Sequence, residues 1–576
     1  MSDCLILGQV HKKPEPLGRG EAAMARSKGW LYACCALMLL LCVVVVSVCI
    51  SQLGRHKCPQ DSFSHAAVAA DTGTCSQIGR DMLEKGGSAV DGAIAALLCT
   101  SLLNPQSSGL GGGSIFTVMD STGKVQIINS RERVPAKYKA DTLKYCPDPS
   151  RFLSVTPYPG SLWIGIPGEL RGYEQAHRLY GKLPWATLFQ PSIQLARQGF
   201  PISQILGQYL SYSDANDSQS LRELFSDKNG NLMQMGDILK FETLADTLET
   251  IANFGADAFY SGKIAENLIR DIQEAGGSLT LQDLASYKAT VSDAWSIPLG
   301  EYQMYFAPPP AGGYILSLIL NIMKGYDLNP ASLRGEQKAL FYHRYVEALK
   351  FANGLKKFAF SSELTKKFTE DSFADHIRSL ISDEMSHEPQ YYNVTPYLDS
   401  MGTTHVSVLA QDGSAVSVTS SLNHLFGSRV LSPSTGVILN NHLSDFCGRV
   451  DTLFAGEQPP SSMSPSVFKS KSKVLVIGST GGSMITTGMA SAIMNHLWLG
   501  KKLKEAIATP VVFVDSQNVL KFEGNFDKDV IEALKALGHT HKPAKKFFNV
   551  VNAVEKEDGC INAVSDARKL GKAAGY

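Results

Sequence analysis

The chain has 576 residues and balances 54 basic against 54 acidic side chains, so it carries no formal net charge. Proteins that bind nucleic acid usually show a basic excess, and neither the composition nor any long Lys/Arg run supplies one here. With 44% hydrophobic and 19% charged residues, the chain falls outside the intrinsically disordered class and predicts a large apolar core.

The first strong local pattern is an uncharged, apolar run over residues 30–53, which follows a tail formed by residues 1–29. A helix of this length covers a hydrocarbon core of about 30 Å, so the run predicts a transmembrane signal-anchor. Basic residues prevail in the tail, which predicts a single-pass type II protein of the plasma membrane with its C-terminal part outside. A cleaved signal peptide is the alternative, but the run is long and no clean small-residue cleavage site follows it. Translation can begin at Met1 or Met24 without changing the span.

The cysteines and glycosylation motifs are consistent with an extracellular domain. Disulfides are permitted there among the cysteines that follow the span, which are Cys58, Cys75, Cys99, Cys146, Cys447 and Cys560. No C-x-x-C pair or close His/Cys cluster is present, so the sequence predicts no metal site. Asn216 and Asn393 begin glycosylation motifs that become usable with this topology.

The extracellular part opens with short apolar elements. His65–Asp71 predicts a buried strand, and residues 75–99 predict a helix pair interrupted at Gly86-Gly87. A glycine-rich segment, residues 104–113, precedes an apolar strand at Ile115–Met119. It lacks the Lys-Ser/Thr of a phosphate-binding loop and precedes a strand instead of a helix, which favours a tight turn or close backbone packing.

The middle of the chain has a mostly helical pattern. Helical periodicity runs from about Gly168 to Lys288, with a capped helix start at Thr280–Tyr287, and another helix is predicted at Tyr314–Met323. Leu364–Tyr397 is polar and irregular, which predicts an exposed linker.

Beyond this segment the pattern changes to strands. His405–Ala410, Ala415–Ser420 and an apolar run that begins at Gly436–Leu439 predict an antiparallel meander. A further strand, Val474–Ile477, leads through a glycine loop into an apolar helix at Met484–Trp498. Together these elements predict an α/β fold in which a layered sheet is flanked by helices.

Thr403 stands where the irregular segment meets the first of these strands, in the sequence Gly402-Thr403-Thr404-His405. A threonine here can simply be a β-branched strand residue. A threonine hydroxyl becomes a nucleophile when a base adjoins it, and cutting the preceding peptide bond supplies one as the residue's own α-amine. Because an α-amine has a pKa of about 7.7–8.0, it can accept a proton near neutral pH.

A series of motifs in chain order gives this threonine a context. They are HAAVAAD at 65, CSQIGRDMLEKGGSAVDGAIAALLC at 75, NPQSSGLGGG at 104, GELRGY at 168, PPPAGG at 308, GTTHVSV at 402, DGSAVSVTSSLN at 412, PSSM at 460 and SDARKLGKAAGY at 565. In these motifs the chain resembles the gamma-glutamyltransferase (glutathione hydrolase) family of N-terminal nucleophile hydrolases, and within it the type 5, leukotriene C4-processing branch. The resemblance implies a four-layer αββα sandwich, a Cys75–Cys99 disulfide and no cofactor.

The resemblance also implies a self-cleaving proenzyme. Cleavage between Gly402 and Thr403 would give a large subunit over residues 54–402 and a small subunit over residues 403–576, which remain associated as a heterodimer. Thr403 would attack a γ-glutamyl carbonyl and form an acyl-enzyme, which water or an acceptor amino acid or dipeptide resolves. The backbone N–H groups of Gly481 and Gly482 match the family's oxyanion donors.

Further positions match the family's substrate-binding residues. Arg131 matches the residue that holds the glutamyl α-carboxylate, for which a guanidinium fork is suited. Ser461 and Ser462 match carboxylate-binding hydroxyls, and Asn423 and Asp445 match α-amine-binding positions. Stripped of the resemblance, a lone Arg or Asp is most often a solvated surface charge.

Two positions depart from the family pattern. Ser421 replaces a threonine beside the nucleophile and retains the hydroxyl. His442 replaces a glutamate expected to share the α-ammonium with Asp445, and a neutral imidazole supplies no negative charge. We therefore expect weaker γ-glutamyl binding, which weakens further as the pH falls and His442 gains a proton.

The sequence thus predicts a cell-surface enzyme that acts on glutathione, glutathione S-conjugates and leukotriene C4. The alternative is a type II surface glycoprotein that keeps the fold as a binding module, its catalysis weakened by His442. The intact motif at Gly402–His405 and the Gly481-Gly482 pair favour the enzyme.

Overall fold

The computed structural model describes residues 30, 32–45, 58–139, 141–146, 160–212, 218–394, 402–449, 452–543 and 549–576. The chain divides into two units, Met1–Cys58 and Pro59–Tyr576. In the first unit residues 32–45 are helical. Within the described ranges, no helix combines the length and the apolar character needed to cross a membrane. The predicted span over residues 30–53 lies partly outside those ranges, and the anchor stays a prediction.

The second unit contains two large antiparallel sheets. Its strands are β1 (Ala67–Ala69), β2 (Gly113–Met119), β3 (Val125–Asn129), β4 (Phe200–Pro201), β5 (Ile238–Leu239), β6 (Thr290–Asp293), β7 (Trp295–Leu299), β8 (Tyr302–Phe306), β9 (Gly402–Leu409), β10 (Ala415–Asn423), β11 (Ser466–Lys469), β12 (Val474–Thr480), β13 (Val512–Val514), β14 (Leu520–Phe522), β15 (Val550–Glu557), β16 (Cys560–Val564) and β17 (Ala574–Gly575). One sheet has the order β17-β1-β9-β10-β2-β3-β6, and the other has the order β16-β15-β12-β11-β8-β7.

The helices of this unit fall in three stretches of the chain. They are α1 (Gly73–Glu84), α2 (Ala89–Leu103), α3 (Glu169–Tyr180), α4 (Trp185–Gln198), α5 (Gln204–Tyr212), α6 (Gln219–Leu224), α7 (Glu242–Phe254), α8 (Asp257–Tyr260), α9 (Gly262–Glu274), α10 (Leu281–Ser286), α11 (Gly313–Lys324), α12 (Gly335–Leu355), α13 (Ser362–Lys367), α14 (Asp371–Leu380), α15 (Met484–Leu497), α16 (Leu503–Ala508) and α17 (Lys528–Ala536).

These elements form an α/β sandwich. The two sheets face each other across an apolar layer that includes Leu409, Val467 and Val476. Helices α1 to α4 cover the outer face of the seven-stranded sheet, and α11, α12 and α15 cover the outer face of the six-stranded sheet. The sheets approach closely where a Cβ on Gly478 would lie 2.1 Å from the buried ring of His405, so only glycine fits there.

Most local predictions agree with the structure. The strand predicted at His65–Asp71 is β1, and the predicted helix pair is α1 and α2. Thr280 caps α10 through a reciprocal capping box with Asp283, as its position before an apolar run predicted. The glycine-rich segment packs closely against backbone, because a Cβ on Gly112 would lie 2.2 Å from the carbonyl oxygen of Ser421.

The linker prediction for Leu364–Tyr397 is wrong in its described part, residues 364–394. This segment forms α13, α14 and a 3-10 helix over Pro389–Tyr392, and Ala374 and Ile377 are buried against the core beneath them. Residues 395–397 lie outside the described ranges.

The prediction of a third strand in the meander is also wrong. Strand β10 pairs with β9 on one side, as predicted, but with β2 on the other. The run Gly436–Leu439 makes isolated bridges instead, from Ile438 to Leu431 and from Leu439 to Gly111. Strand β2, which is distant in sequence, therefore pairs with β10 at the edge where a third strand of the meander was predicted.

The cysteines of this unit are oxidised. Cys75 is bonded to Cys99, as the resemblance implied, and Cys146 is bonded to Cys447. Cys560 is also disulfide-bonded. Among the predicted glycosylation sites, Asn393 is exposed at the end of its 3-10 helix, while Asn216 lies outside the described residues.

Candidate active site

A cavity of about 510 Å³ brings the predicted site residues together. Its lining includes the predicted nucleophile, Thr403, and one glycine of the loop after β12, Gly482. It also includes every predicted substrate-binding residue: Arg131, Ser421, Asn423, His442, Asp445, Ser461 and Ser462. Gly481 precedes Gly482 in the same loop. The volume falls in the range of small-molecule sites, about 300–1,000 Å³.

Thr403 lies at the start of β9 and is 2% exposed. Its cross-strand partner in β10 is Ser421, so the two side chains share one face of the sheet and their hydroxyl oxygens are 3.3 Å apart. Ser421 Oγ donates a 2.7 Å hydrogen bond to the carbonyl oxygen of Gly402. Because Gly402 and Thr403 are consecutive residues of one strand, this is the geometry of the uncut chain.

A buried ion pair fixes the backbone of the nucleophile. Lys569 Nζ donates to the carbonyl oxygen of Thr403 at 2.9 Å and to Asp71 Oδ2 at 2.7 Å. The hydroxyl of Thr404 also donates to Asp71, at 2.8 Å. Neither Asp71 nor Lys569 was predicted from the sequence as a site residue, although they lie in the motifs at 65 and 565 that carried the resemblance.

The glycine loop after β12 has a backbone that other residues rarely adopt. Gly481 has φ 109° and Gly482 has φ 58°, and α15 begins two residues later. A side chain would be strained at either position. Backbone N–H groups at the start of a helix are unpaired and carry partial positive charge, so this loop can stabilise an oxyanion at the pocket wall.

A β-bulge between Ser421 and Asn423 directs the end of β10 toward the pocket. Asn423 has φ 83°, a left-handed conformation that asparagine tolerates better than most residues. Its Nδ2 donates to Asp445 Oδ1 at 2.8 Å. Burial raises the pKa of Asp445, against the opposing effect of Arg131 and of this hydrogen bond.

Arg131 is a buried cation, 1% exposed, and it is paired with Asp445 at 2.6 Å. Its guanidinium also donates to the carbonyl oxygens of Pro459 at 3.3 Å and Pro460 at 3.0 Å. A fixed cation therefore lies beside a fixed anion at the pocket wall. This arrangement is complementary to a ligand that carries an ammonium and a carboxylate on one carbon.

Ser461 and Ser462 follow Pro460 along the same wall and are partly exposed to the pocket. The loop that contains Gly312 holds them, since a Cβ on Gly312 would lie 2.9 Å from the Cα of Ser462. The backbone N–H of Ser461 donates to Pro310 at 2.8 Å. Close glycine packing therefore fixes the two serines next to Arg131.

His442 has surroundings that the sequence did not predict. Its Nε2 lies 3.3 Å from Ser421 Oγ, and its Nδ1 lies 2.9 Å from Oε1 of Glu132, a buried carboxyl that sequence analysis missed. Burial lowers the pKa of His442 well below its usual value, and Arg131 lowers it further. Burial therefore opposes the gain of a proton that was expected for His442 as the pH falls. Glu132 follows Arg131 directly in the chain, which is the only signal that could have pointed to it.

A second part of the pocket lining is aromatic and cationic. Phe360 is 42% exposed and stacks on Phe446, with ring centroids 5.9 Å apart. The guanidinium of Arg449 lies 4.4 Å from the centroid of Phe360. Tyr314 and Phe358 complete this lining. The sequence analysis assigned none of these residues to the site.

Comparisons with known proteins find relatives of this chain in sequence and in structure. The sequence profile of the family described as gamma-glutamyltranspeptidase matches residues 75–576. The glutathione hydrolase 5 proenzyme of Rattus norvegicus is 43% identical over 560 residues, which cover 93% of this chain and 97% of that relative.

Two solved structures share the fold. Cephalosporin acylase from Bacillus halodurans has a TM-score of 0.78 and 24% identity, covering 91% of this chain and 98% of that one. The gamma-glutamyltranspeptidase of Helicobacter pylori has a TM-score of 0.51 and 25% identity, covering 58% of this chain and 95% of that one. The profile match and the 43% identity together confirm the resemblance found in the sequence motifs. The chain therefore belongs to the gamma-glutamyltranspeptidase family.

Proposed function

We propose that this chain is a self-cleaving γ-glutamyl hydrolase and transferase whose nucleophile is Thr403. One observation carries the proposal: the hydroxyl of Thr403, the glycine loop and the Arg131–Asp445 pair line the same cavity. The first can attack a carbonyl, the second can stabilise the resulting oxyanion, and the third can hold the amino-acid end of a glutamyl group.

Cleavage between Gly402 and Thr403 activates the nucleophile. It divides the chain into a large subunit, residues 54–402, and a small subunit, residues 403–576, which remain associated through the paired strands β9 and β1. The freed α-amine of Thr403 accepts the proton of its own hydroxyl as Oγ attacks the γ-carbonyl. The N–H groups of Gly481 and Gly482 stabilise the tetrahedral oxyanion, for which one donor contributes about 100- to 1,000-fold in rate. Water or an acceptor amino acid or dipeptide then releases the γ-glutamyl group.

The pocket also supports γ-glutamyl compounds as the substrate class. At its inner end, Arg131 with Ser461 and Ser462 binds the α-carboxylate, and Asp445 with Asn423 binds the α-ammonium. Both ring nitrogens of His442 lie close to protein groups, so we assign the ammonium to Asp445 and Asn423.

The aromatic part of the lining, which includes Phe360 and Phe446, is suited to an apolar substituent on the glutathione sulfur. A ligand seated with its glutamyl end at Arg131 would extend toward Phe360 and Phe446, while Arg449 offers a cation to a carboxylate. We therefore propose glutathione, its S-conjugates and leukotriene C4 as substrates.

We also propose that the enzyme is a glycosylated type II protein of the plasma membrane, anchored by residues 30–53. The helical, apolar residues 32–45 and the oxidised cysteines of the second unit support this topology. Endoglycosidase treatment should shift the mobility of the large subunit, which holds both Asn216 and Asn393. A soluble product that begins near residue 55 would contradict the anchor.

The variants Thr403→Ala and Thr403→Ser test the function. Thr403→Ala should remain one chain without activity, while Thr403→Ser, which keeps a hydroxyl, should still cleave itself and turn over γ-glutamyl substrates. Both are assayed with glutathione and leukotriene C4, with and without a dipeptide acceptor. The alternative, a weakened binding glycoprotein, predicts an uncut and inactive wild type. Cleavage of Thr403→Ala at the same bond would contradict the nucleophile.

A further inference from the structure

A polar chain leads from the Gly402–Thr403 bond into the protein interior. Ser421 Oγ donates to the carbonyl oxygen of Gly402 at 2.7 Å and accepts from the backbone N–H of Asn423 at 2.8 Å. On its other side, Nε2 of His442 lies 3.3 Å away. The direction of the Ser421 hydroxyl hydrogen therefore decides whether this side chain donates to the carbonyl of the bond to be cut.

The chain continues from His442 to a carboxyl with no solvent contact. Nδ1 of His442 lies 2.9 Å from Oε1 of Glu132, whose side chain is 0% exposed. Among the described residues, neither oxygen of Glu132 nor Nδ1 of His442 has an aligned hydrogen-bond partner. A buried polar group without a partner costs free energy, so the contact between these two side chains is not explained by stability.

The charged and titratable groups around the pair come from several elements. Arg131 Nη1 lies 3.6 Å from Glu132 Oε2, and Asp445 interacts with His442. Glu169 and Tyr287 face Glu132, and His424 faces His442.

In these surroundings Glu132 changes charge near neutral pH, while His442 stays neutral. Burial raises the pKa of Glu169 to about 8 and lowers the pKa of His424 to about 4, so both are neutral at pH 7. Burial raises the pKa of Glu132 to about 7 despite Arg131, and it keeps His442 neutral.

We propose that Glu132 and His442 are positioning residues for self-cleavage, and that they set the direction of the Ser421 hydroxyl through the tautomer of the histidine. This inference rests on the proposed cleavage between Gly402 and Thr403.

The two protonation states of Glu132 select different tautomers. A neutral Glu132 can donate to Nδ1 of His442 across the 2.9 Å contact once its carboxyl turns into line, which leaves the ring proton on Nε2. Nε2 then donates to Ser421, and the hydroxyl of Ser421 points at Gly402. An ionised Glu132 accepts from Nδ1, so Nε2 carries a lone pair that accepts from Ser421 and withdraws the donor from Gly402.

The donor matters because the carbonyl oxygen of Gly402 becomes an oxyanion. Thr403 Oγ attacks the carbonyl carbon of Gly402, and the new C–Oγ bond gives a tetrahedral oxyanion. The intermediate collapses to an ester as the C–N bond breaks and the hydroxyl proton of Thr403 moves to the nitrogen. Water then hydrolyses the ester, which leaves a carboxylate on Gly402 and a free amine and hydroxyl on Thr403. Ser421 can stabilise the tetrahedral intermediate only when its hydrogen points at Gly402.

The test follows the rate of self-cleavage with pH. The full chain is made by cell-free translation with microsomes, and the appearance of the small subunit is timed between about pH 6 and 8.5, a window around the pKa of Glu132. Glu132→Gln is the matched variant, since its amide nitrogen donates to Nδ1 at every pH. We expect the ratio of variant to wild-type rate to be about one near pH 6 and to rise about tenfold or more near pH 8.5, within the effect of one oxyanion donor.

His442→Phe provides a second, independent variant, because a phenylalanine ring has no nitrogen that can accept from Ser421 and withdraw its hydroxyl from Gly402. The same pH-dependent rise in the rate ratio is therefore expected. If the residue served folding alone, the ratio of the variant's rate to the wild-type rate would be the same at all pH values. If either folded variant keeps a constant ratio to wild type, the positioning role is wrong. If wild type stays uncut at every pH, the proposed function fails, which is a distinguishable result.

Discussion

Two buried clusters of histidine and glutamate differ in how completely their polar atoms are paired. The first, here called the lysine cluster, consists of His343, Glu347, Lys350 and His539. His343 Nδ1 and His539 Nε2 are 2.8 Å apart, and Lys350 Nζ lies 2.8 Å from His539 Nδ1 and 3.4 Å from Glu347 Oε1. The side-chain types could ligate a metal ion, but the lysine ammonium already lies between the histidine and the carboxylate.

The second, the pocket cluster, consists of Glu132, His442 and Ser421. Its carboxylate oxygens and Nδ1 of its histidine lack aligned hydrogen bonds within the described part of the chain, and it borders the cavity. In the lysine cluster the remaining atoms are paired, since Tyr392 donates to Glu347 at 2.6 Å and His343 Nε2 lies 2.6 Å from a backbone carbonyl. Complete pairing indicates a structural role, whereas the incomplete pairing beside the cavity needs another explanation, which the proposed positioning of the Ser421 hydroxyl supplies.

The largest effect is expected from breaking the lysine cluster. Glu347→Gln leaves the ammonium of Lys350 buried without its carboxylate, which should lower the free energy of unfolding by about 3 kcal/mol or more. Chemical denaturation measures the loss, and kcat/KM of the folded fraction should stay unchanged.

The matched control lies on the same helix, α12. Arg344 pairs with Asp383 at 2.6 Å near the surface, so Arg344→Gln should cost less than about 1 kcal/mol. Equal losses in the two variants would show that the lysine cluster is not the structural element that its pairing indicates.

The next effect concerns the inner end of the pocket. Arg131→Lys removes the guanidinium fork beside Asp445, and charged hydrogen bonds of this kind contribute about 1.5–3 kcal/mol. We expect KM for a γ-glutamyl substrate to rise about 10- to 100-fold with a smaller change in kcat, as for a contact made equally in the ground and transition states. Arg133→Lys, two residues away and outside the cavity lining, is the control. Equal KM values for the two variants would remove Arg131 from the substrate site.

The smallest effect is a pH dependence of stability. Burial lowers the pKa of His539 to about 2, whereas an unfolded histidine titrates near 6.5. Between these values the unfolded chain binds a proton that the folded chain does not. The contribution of this residue is therefore complete above about pH 6.5 and falls by about 1.4 kcal/mol for each pH unit below it. His539→Gln should reduce the slope measured between about pH 6.5 and 5, while the exposed His376→Gln should not. An unchanged slope in His539→Gln would contradict a neutral His539.

The sequence predicted the elements whose patterns are local. The helix pair α1 and α2, the strands β9 and β10 and the capped helix at Thr280 all follow from periodicity and capping residues. The linker prediction for Leu364–Tyr397 failed because polar side chains of this segment bind buried partners. Ser386 and Tyr392 both hydrogen bond to Glu347, a contact that no local pattern records.

The site shows the same division. The resemblance supplied residues that the structure brings to one cavity, from Arg131 to Ser462. It did not supply Glu132, because a glutamate next to an arginine is usually a surface charge, and only the fold buries it against His442. The aromatic and cationic part of the lining was not predicted, because Phe360 and Arg449 meet through tertiary contacts between distant segments.

The central claim is that Thr403 carries the γ-glutamyl group during turnover. The most direct measurement is the intact mass of the small subunit after rapid acid quenching of the wild-type enzyme with a γ-glutamyl substrate. We expect a subunit that begins at Thr403 and bears one γ-glutamyl group, which fragmentation maps to that threonine. A subunit that begins elsewhere, or an adduct on another residue, would contradict it.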